Sequence, residues 1–369
     1  MILGIDATRA NKPQKTGVEW YSYYLIRALA AEPSQHTIRL YFNSPPEPGL
    51  KNLGPHVEYR VLHWPFKYLW TQARLSWEML INPPDLLFIP AQIIPVLHPT
   101  KTVTTIHDVA YKPYPESYRW RSRFYLDFAA RLAKRLPLIL TVSEFSKKEI
   151  VKYYGIPESH ISVIPLGFRH ETTLPASIVA TKFNIKEPYL LYVGRLERKK
   201  NVHSIIESFN LVKREDWGTR FRLVLVGVKG YGWMQIENVI KRSPYRDDIK
   251  IVGWVTEAEK HTLIAGATAL ILLSAYEGFG LPLLEAMANQ TPAITSDQAA
   301  LPEVAGTAAI IVPRGNNTAV CNAVHNLVFD AAMREGIVRE GMRRIKQYSW
   351  ERTARMTLEA LDALYKRRI

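Results

Sequence analysis

The sequence predicts an α/β protein of two doubly wound parallel-sheet domains in tandem, and three observations carry that prediction. Short β-branched apolar runs alternate with longer helical patterns, the signature of strands joined by crossover helices. The alternation stops near residues 168–188 and then restarts. The length of 369 residues suits two domains at about 100–200 residues each, and either half can bury its own core.

In the first half, strand-like runs lie at 2–6, 37–42, 57–62, 86–89, 102–106, 138–142 and 161–164. Helical patterns lie between them at 17–31, 67–80, 117–135 and 144–154. Residues 168–188 have no sustained strand pattern and contain Pro175 and Pro188, so they read as a linker. The second half opens with a strand at 189–193 and a Gly194 turn, followed by a helix at 201–213. Next come strand 221–226 with Gly227, helix 233–241, strand 249–252 and helix 256–266. Thr256 with Glu259 three residues on forms a capping box at that last helix start. Strand 269–272, helix 281–289 and strands 292–295 and 308–312 follow, and the remainder is helical from about 317 to 368 with breaks. The division this implies is a first domain at 1–170, a linker at 171–187, a second domain at 188–350, and a last helix at 351–369 returning to the first domain. Open parallel sheets bind ligands beyond the carboxyl ends of their strands, so two facing domains would place those ends around an interdomain cleft.

Composition narrows the function. Apolar content of 47% and charged content of 22% describe an ordinary globular protein. The single cysteine, Cys321, excludes a disulfide framework and a thiolate metal site, and its helical setting reads as core. A net charge of +14 favours anionic partners. No apolar run reaches the ~18–20 residues needed to span a bilayer. The N-terminus runs straight into a strand without a signal-peptide pattern, so a cytoplasmic protein is expected, with contact at the inner membrane face as an added reading. The basic residues are spread over both halves without a recognition-helix or RNA-binding signature, so nucleic acid is not expected as a partner.

The strongest chemical signal is Glu277-Gly278-Phe279-Gly280-Leu281-Pro282-Leu283-Leu284-Glu285, placed after a strand and opening a helix. The glycines let backbone approach a ligand, Pro282 suits a first helical turn, and the free amides of that turn suit an anion or sugar oxygens. One glutamate here would be an ordinary capping carboxylate, whereas the nine-residue pattern points to a ligand at the helix mouth.

This segment resembles the E-x7-E motif of the retaining glycosyltransferases of family 4, which have the two-Rossmann GT-B architecture. The resemblance extends over most of the chain. It includes Tyr192-Val-Gly-Arg-Leu-Glu-Arg-Lys-Lys-Asn201, Ser296-Asp-Gln-Ala-Ala-Leu-Pro-Glu-Val-Ala-Gly306, Thr16-Gly-Val18, Val163-Ile-Pro-Leu-Gly167 and Tyr348-Ser-Trp-Glu351. Leu166 stands where the family usually has asparagine.

At matching positions the resemblance implies roles. Arg195 and Lys200 correspond to the basic pair on the donor diphosphate, where fixed cations stabilise charge that grows as the bond breaks. Gly17 corresponds to the turn whose amides touch the distal phosphate and acceptor, although alone it reads as a plain helix-start glycine. Glu285 corresponds to the residue that accepts from ribose hydroxyls, and Glu277 to the one near the transferred sugar. The amides of Gly278, Phe279, Gly280 and Leu281 would hold sugar and phosphate. Base contacts would come from residues 253–256, Val255 among them. His107 resembles a histidine that orients a donor-sugar hydroxyl, with Asp108 available to orient its ring.

The implied reaction moves a hexose of mannose or glucose type from a nucleotide diphosphate sugar to a glycan or lipid-linked acceptor, with retention. Front-side displacement fits better than a glycosidase-type carboxylate pair, because both acids sit in a nucleotide-site motif. No cofactor and no metal are expected: Arg195 and Lys200 replace a divalent cation, and Asp247-Asp248 reads as a solvated turn. A nucleotide-sugar epimerase on the same fold and a non-catalytic sugar-nucleotide binding module are the alternatives.

On the acceptor side, residues 112–135 carry seven cations against Glu116 and Asp127. Arg119, Trp120, Arg123 and Phe124 interleave along a predicted helix, and Trp120, Arg121 and Arg123 are the candidates for acceptor or membrane contact. Basic amphipathic helices with aromatics dock on anionic membranes; a core aromatic stripe beneath a solvated basic face is the other reading.

Overall fold

A computed structural model of the chain describes every residue except Ser34, Lys67, Glu171, Arg368 and Ile369. The strands are β1 (Ile2–Asp6), β2 (Thr37–Phe42), β3 (Val57–Val61), β4 (Leu86–Ile89), β5 (Thr102–Thr105), β6 (Leu138–Thr141), β7 (Ile161–Val163), β8 (Tyr189–Val193), β9 (Arg222–Val226), β10 (Ile249–Gly253), β11 (Ala269–Leu272), β12 (Ala293–Ser296) and β13 (Ile310–Val312). The helices are α1 (Gly17–Ala31), α2 (Ser76–Ile81), α3 (Trp120–Ala133), α4 (Glu144–Tyr154), α5 (Ala176–Phe183), α6 (Val202–Arg214), α7 (Trp233–Arg242), α8 (Glu257–Ala265), α9 (Leu281–Ala288), α10 (Leu301–Ala305), α11 (Asn317–Phe329), α12 (Ala331–Ile345) and α13 (Trp350–Lys366).

The chain divides into two units. The first comprises Met1–Lys112, Arg119–Gly167 and the C-terminal segment from Tyr348. Its seven-stranded sheet runs β3-β2-β1-β4-β5-β6-β7, with every pairing parallel. The central strands β4, β5 and β6 are buried along their whole length, as a sheet covered by helices on both faces requires. Their buried hydroxyls are satisfied locally: Thr141 Oγ1 donates to the Ile106 carbonyl at 2.7 Å, and Thr105 meets the Tyr21 hydroxyl at 3.1 Å.

Helix α13 joins this first unit through identifiable contacts. Trp350 stacks on Tyr24 with ring centres 5.5 Å apart, and Thr353 Oγ1 donates to the Pro165 carbonyl at 2.9 Å. Gly167 lets that helix start approach, since a Cβ there would lie 2.6 Å from Trp350 Cα. Farther along, His36 Nε2 meets Asp362 at 2.8 Å.

The second unit comprises Pro113–Tyr118 and Phe168–Gln347. Its six-stranded parallel sheet runs β10-β9-β8-β11-β12-β13. The predicted capping box is present: Thr256 N donates to Glu259 Oε2 at 2.9 Å, and Glu259 N to Thr256 Oγ1 at 3.3 Å.

Several local expectations are corrected. The stretch read as linker contains α5, entered after Pro175 and stopped by Asn184 in the left-handed region. Its one buried residue is Val179 and Lys182 pairs with Glu259, so tertiary contact compensates for a weak apolar pattern. The helix predicted over 67–80 is a π-helical turn, Trp70–Leu75, continuing into α2, and its predicted start at Lys67 lies outside the described residues. The helix predicted over 117–135 begins at Trp120, because Tyr118 and Arg119 are extended after the 3-10 turn Pro115–Ser117. Helix α10 was not foreseen, its apolar run being a single turn. Asp247-Asp248 is not wholly a solvated turn: Asp248 pairs with Lys213 at 2.8 Å and with Arg222. The predicted helical end at Arg368 lies outside the described residues.

Each sheet has a topological switch point, between β1 and β4 in the first and between β8 and β11 in the second. Loops leaving neighbouring strands there diverge and open a crevice.

Candidate functional site

In the second unit, the two loops at the switch point carry the main motifs. The loop after β8 turns at Gly194, whose φ of +150° suits glycine, and Tyr192 Oη steadies it by donating to the Arg195 carbonyl at 2.9 Å. The Arg195 side chain is exposed and has no ion-pair partner among the described residues. The loop then tightens into the 3-10 turn Arg198–Lys200. The loop after β11 runs alongside it, with Ala275 N donating to the Lys199 carbonyl at 2.9 Å.

This pairing brings Lys200 to Glu277. The ammonium lies 2.6 Å from Glu277 Oε1, and the two side chains are only 17% and 15% exposed. Ser274 Oγ donates to the same oxygen at 2.8 Å. Lys199 turns elsewhere, to the Tyr118 hydroxyl at 2.9 Å and to Glu197 at 3.6 Å. Lys200 is therefore the lysine of this run that meets the E-x7-E segment.

The helix mouth follows directly. Gly280 caps α9 with φ +112°, and a Cβ there would lie 2.9 Å from Leu301 Cδ2. Both facts demand glycine, and the second comes from the unforeseen α10. Pro282 occupies the first turn, Leu283 N bonds the Gly280 carbonyl at 3.0 Å, and Phe279 is buried. Gly278 lies in the bend between Glu277 and Gly280, and Leu281 opens α9. Ala300 N, just before α10, donates to the Glu277 carbonyl at 3.3 Å.

Glu285 lies one turn into α9 and is 9% exposed. Its Oε1 accepts from Lys260 Nζ at 2.7 Å, while Oε2 is buried with no hydrogen-bond partner among the described residues. Lys260 also lies 2.7 Å from Glu257. Burial pulls the Lys260 pKa down, but Glu285 and Glu257 beside it push it above the ordinary lysine value. Sequence reading missed Lys260; its one signal was the Glu257/Lys260 spacing on a predicted helix. Glu257, His261 and Glu285 bring potential ligand atoms within 4.8 Å of one another, and Lys260 already supplies positive charge to the two carboxylates there. Val255 is buried beside Gly253, where φ is +82° and a Cβ would meet nothing within 4 Å.

In the first unit, Gly17 opens α1 with open space around it. Glu19, one turn on, accepts from Thr16 N at 3.3 Å and pairs with Arg9 at 3.2 Å. His107 follows β5 and its Nε2 meets the Pro90 carbonyl at 3.1 Å. A carbonyl only accepts, so Nε2 carries the proton and neutral His107 presents Nδ1 as an acceptor. Burial lowers the His107 pKa, more than the Pro90 carbonyl, Asp108 and Glu19 raise it. Asp108 does not orient the ring: its Oδ1 accepts from Ala110 N at 2.9 Å as a turn cap.

Helix α3 presents its aromatics outward. Trp120 is 69% and Phe124 71% exposed, with Phe128 also exposed, so they are not a core stripe. Arg121 lies 5.3 Å from the Trp120 ring centre, and Arg123 is exposed. The opposite side is buried through Ala129, Ala130 and Ala133, while Asp127 takes Lys112, Arg131 at 3.0 Å and the Tyr154 hydroxyl at 2.9 Å.

Comparison with known proteins gives this geometry its family. Residues 176–344 match the model of glycosyl transferases group 1, and residues 15–172 match that of glycosyltransferase family 4. The chain belongs to the group 1 glycosyltransferases. O-antigen chain mannosyltransferase B of Escherichia coli is 28% identical over 98% of this chain and 99% of its own. Among solved structures, sucrose-phosphate synthase of Thermosynechococcus elongatus shares the fold at TM-score 0.76 and 18% identity, over 99% of each chain. HepE of Anabaena, solved in complex with UDP-glucose, does so at TM-score 0.75 and 17% identity, over 98% of this chain and 100% of its own. The two parallel sheets of this glycosyltransferase are thus those of the GT-B fold. None of its described helices is long and apolar enough to cross a membrane.

Proposed function

We propose that this glycosyltransferase transfers a hexose of mannose or glucose type, with retention, from a nucleotide diphosphate sugar to a glycan or lipid-linked acceptor. The observation that carries the reading is the Lys200–Glu277 pair at 2.6 Å, set beside the glycine-capped mouth of α9. A lysine that can neutralise a departing diphosphate is held next to a carboxylate that can grip sugar hydroxyls, with Arg195 exposed on the same loop and in no ion pair among the described residues. The mannosyltransferase relative and the UDP-glucose complex of HepE support the substrate class.

In this reading the donor C1–O bond to the diphosphate breaks as the acceptor hydroxyl oxygen bonds C1 from the same face. The acceptor proton passes to a departing phosphate oxygen, so the chain supplies position and charge rather than a general base. Arg195 and Lys200 hold the diphosphate, Glu277 the hexose, Glu285 the ribose, and Val255 lies beside the base. In the second unit the amides of Gly278, Phe279, Gly280 and Leu281 complete the cradle. His107 Nδ1 accepts from a hexose hydroxyl. The two cations take the place of a divalent ion, and activity retained in chelator tests that.

The test is acceptor-dependent release of nucleoside diphosphate. Arg195→Ala and Lys200→Ala are expected to abolish most of it, and release unaffected by either would refute the assignment. Trp120, Arg121 and Arg123, exposed on α3, support a peripheral seat on an anionic membrane, where such an acceptor would be held.

A further inference from the structure

The buried half of Glu285 points to a residue that no motif contains. Glu257 and Glu285 come from different helices, yet their carboxylates lie within 4.8 Å of one another. Two carboxylates sharing a site repel each other unless a cation compensates them. Lys260 supplies that compensation, 2.7 Å from each, and is itself nearly buried. It engages Glu285 through Oε1, and Oε2 is left buried with no hydrogen-bond partner among the described residues. A buried carboxylate oxygen without a donor is costly, and a ligand hydroxyl would satisfy it.

We propose that Lys260 is a positioning residue for the nucleotide ribose: by bridging Glu257 and Glu285 it offsets their mutual repulsion and fixes the Glu285 carboxylate, with Oε2 presented to a ribose hydroxyl. This rests on the reading of Glu285 as the ribose residue. The other groups around the pair are accounted for. His261 on α8 meets Asn289 at 2.8 Å through Nδ1, and His170 packs 5.6 Å from the His261 ring. The Asn289 amide also donates to the Glu285 carbonyl at 2.7 Å, fixing the backbone of α9 whatever Lys260 does. Losing Lys260 therefore acts on the charge of the carboxylate pair more than on helix position.

The experiment is calorimetric titration with UDP and GDP, followed by the 2′,3′-dideoxy analogue of whichever binds. Lys260→Gln is expected to weaken the ribonucleotide about tenfold or more. Lys260→Arg keeps the charge and retains affinity. Glu257→Gln added to Lys260→Gln removes the competing carboxylate and restores affinity. The dideoxy analogue binds wild type and Lys260→Gln alike. Should Lys260→Gln fail to fold by circular dichroism, the double variant is compared with Glu257→Gln alone. Equal ribonucleotide affinity in wild type and Lys260→Gln, or a loss that neither Lys260→Arg nor the added Glu257→Gln rescues, overturns the role of Lys260. Wild type that binds neither nucleotide overturns the functional reading and this inference with it.

Discussion

Lys200 and Glu277 meet at 2.6 Å, so they compete with an incoming ligand for each other. Lys200 must share its charge between Glu277 and a diphosphate, and that makes opposite predictions for the two residues. Charge-assisted hydrogen bonds contribute about 1.5–3 kcal/mol, so Lys200→Ala should weaken nucleoside diphosphate binding by about 10- to 150-fold. Glu277→Gln removes the competitor while Ser274 Oγ keeps a partner at that position. It should leave binding unchanged or strengthen it by up to about 1 kcal/mol, about fivefold. Turnover should fall in both variants, in Lys200→Ala by about 100- to 1,000-fold, the usual loss when one group aimed at developing charge is removed. Calorimetric titration of UDP and GDP, beside acceptor-dependent turnover, separates the two effects. If Glu277→Gln weakened diphosphate binding as much as Lys200→Ala does, the carboxylate would be acting through the phosphate site and the division of roles would be wrong.

Gly280→Ala forces a side chain onto φ +112° and against Leu301; a cost of about 1–3 kcal/mol is expected, read as a lower melting temperature with weakened nucleotide binding. His107 has a folded pKa depressed by burial, so below the ordinary imidazole value of 6.5 the unfolded chain takes up the proton first. Stability is therefore fully present above about pH 6.5 and declines as pH falls toward the folded pKa, and melting curves of His107→Gln should show a shallower decline. Vesicle flotation tests α3: Trp120→Ala with Phe124→Ala should lose binding to anionic vesicles, and each of Arg121 and Arg123 should contribute about 1 kcal/mol. Binding that ignores anionic lipid, or a double variant that floats like wild type, removes the membrane assignment.

Much of the molecule is legible in the amino-acid order because its signals are local. Gly17–Ala31 reads as a helix from its own periodicity, Thr256–Glu259 caps α8 within one turn, and Gly280-Leu281-Pro282 marks a helix mouth by itself. The failures have a common cause. The α5 turn buries little and is held by α8, and α10 is too short to show a period. The Tyr118–Arg119 break before α3 depends on backbone that no side-chain pattern records.

By itself the sequence determined the two parallel α/β sheets and the loops that carry the reactive residues. Those follow from hydrophobic period and glycine placement, which act over a few residues. Only the tertiary structure decided which polar groups meet: Lys200 with Glu277, Lys260 with Glu285, His107 with the Pro90 carbonyl. The physical reason is strand order. β11 lies beside β8 although β9 and β10 intervene in the chain, and an ion pair across that seam depends on sheet topology that no local pattern encodes.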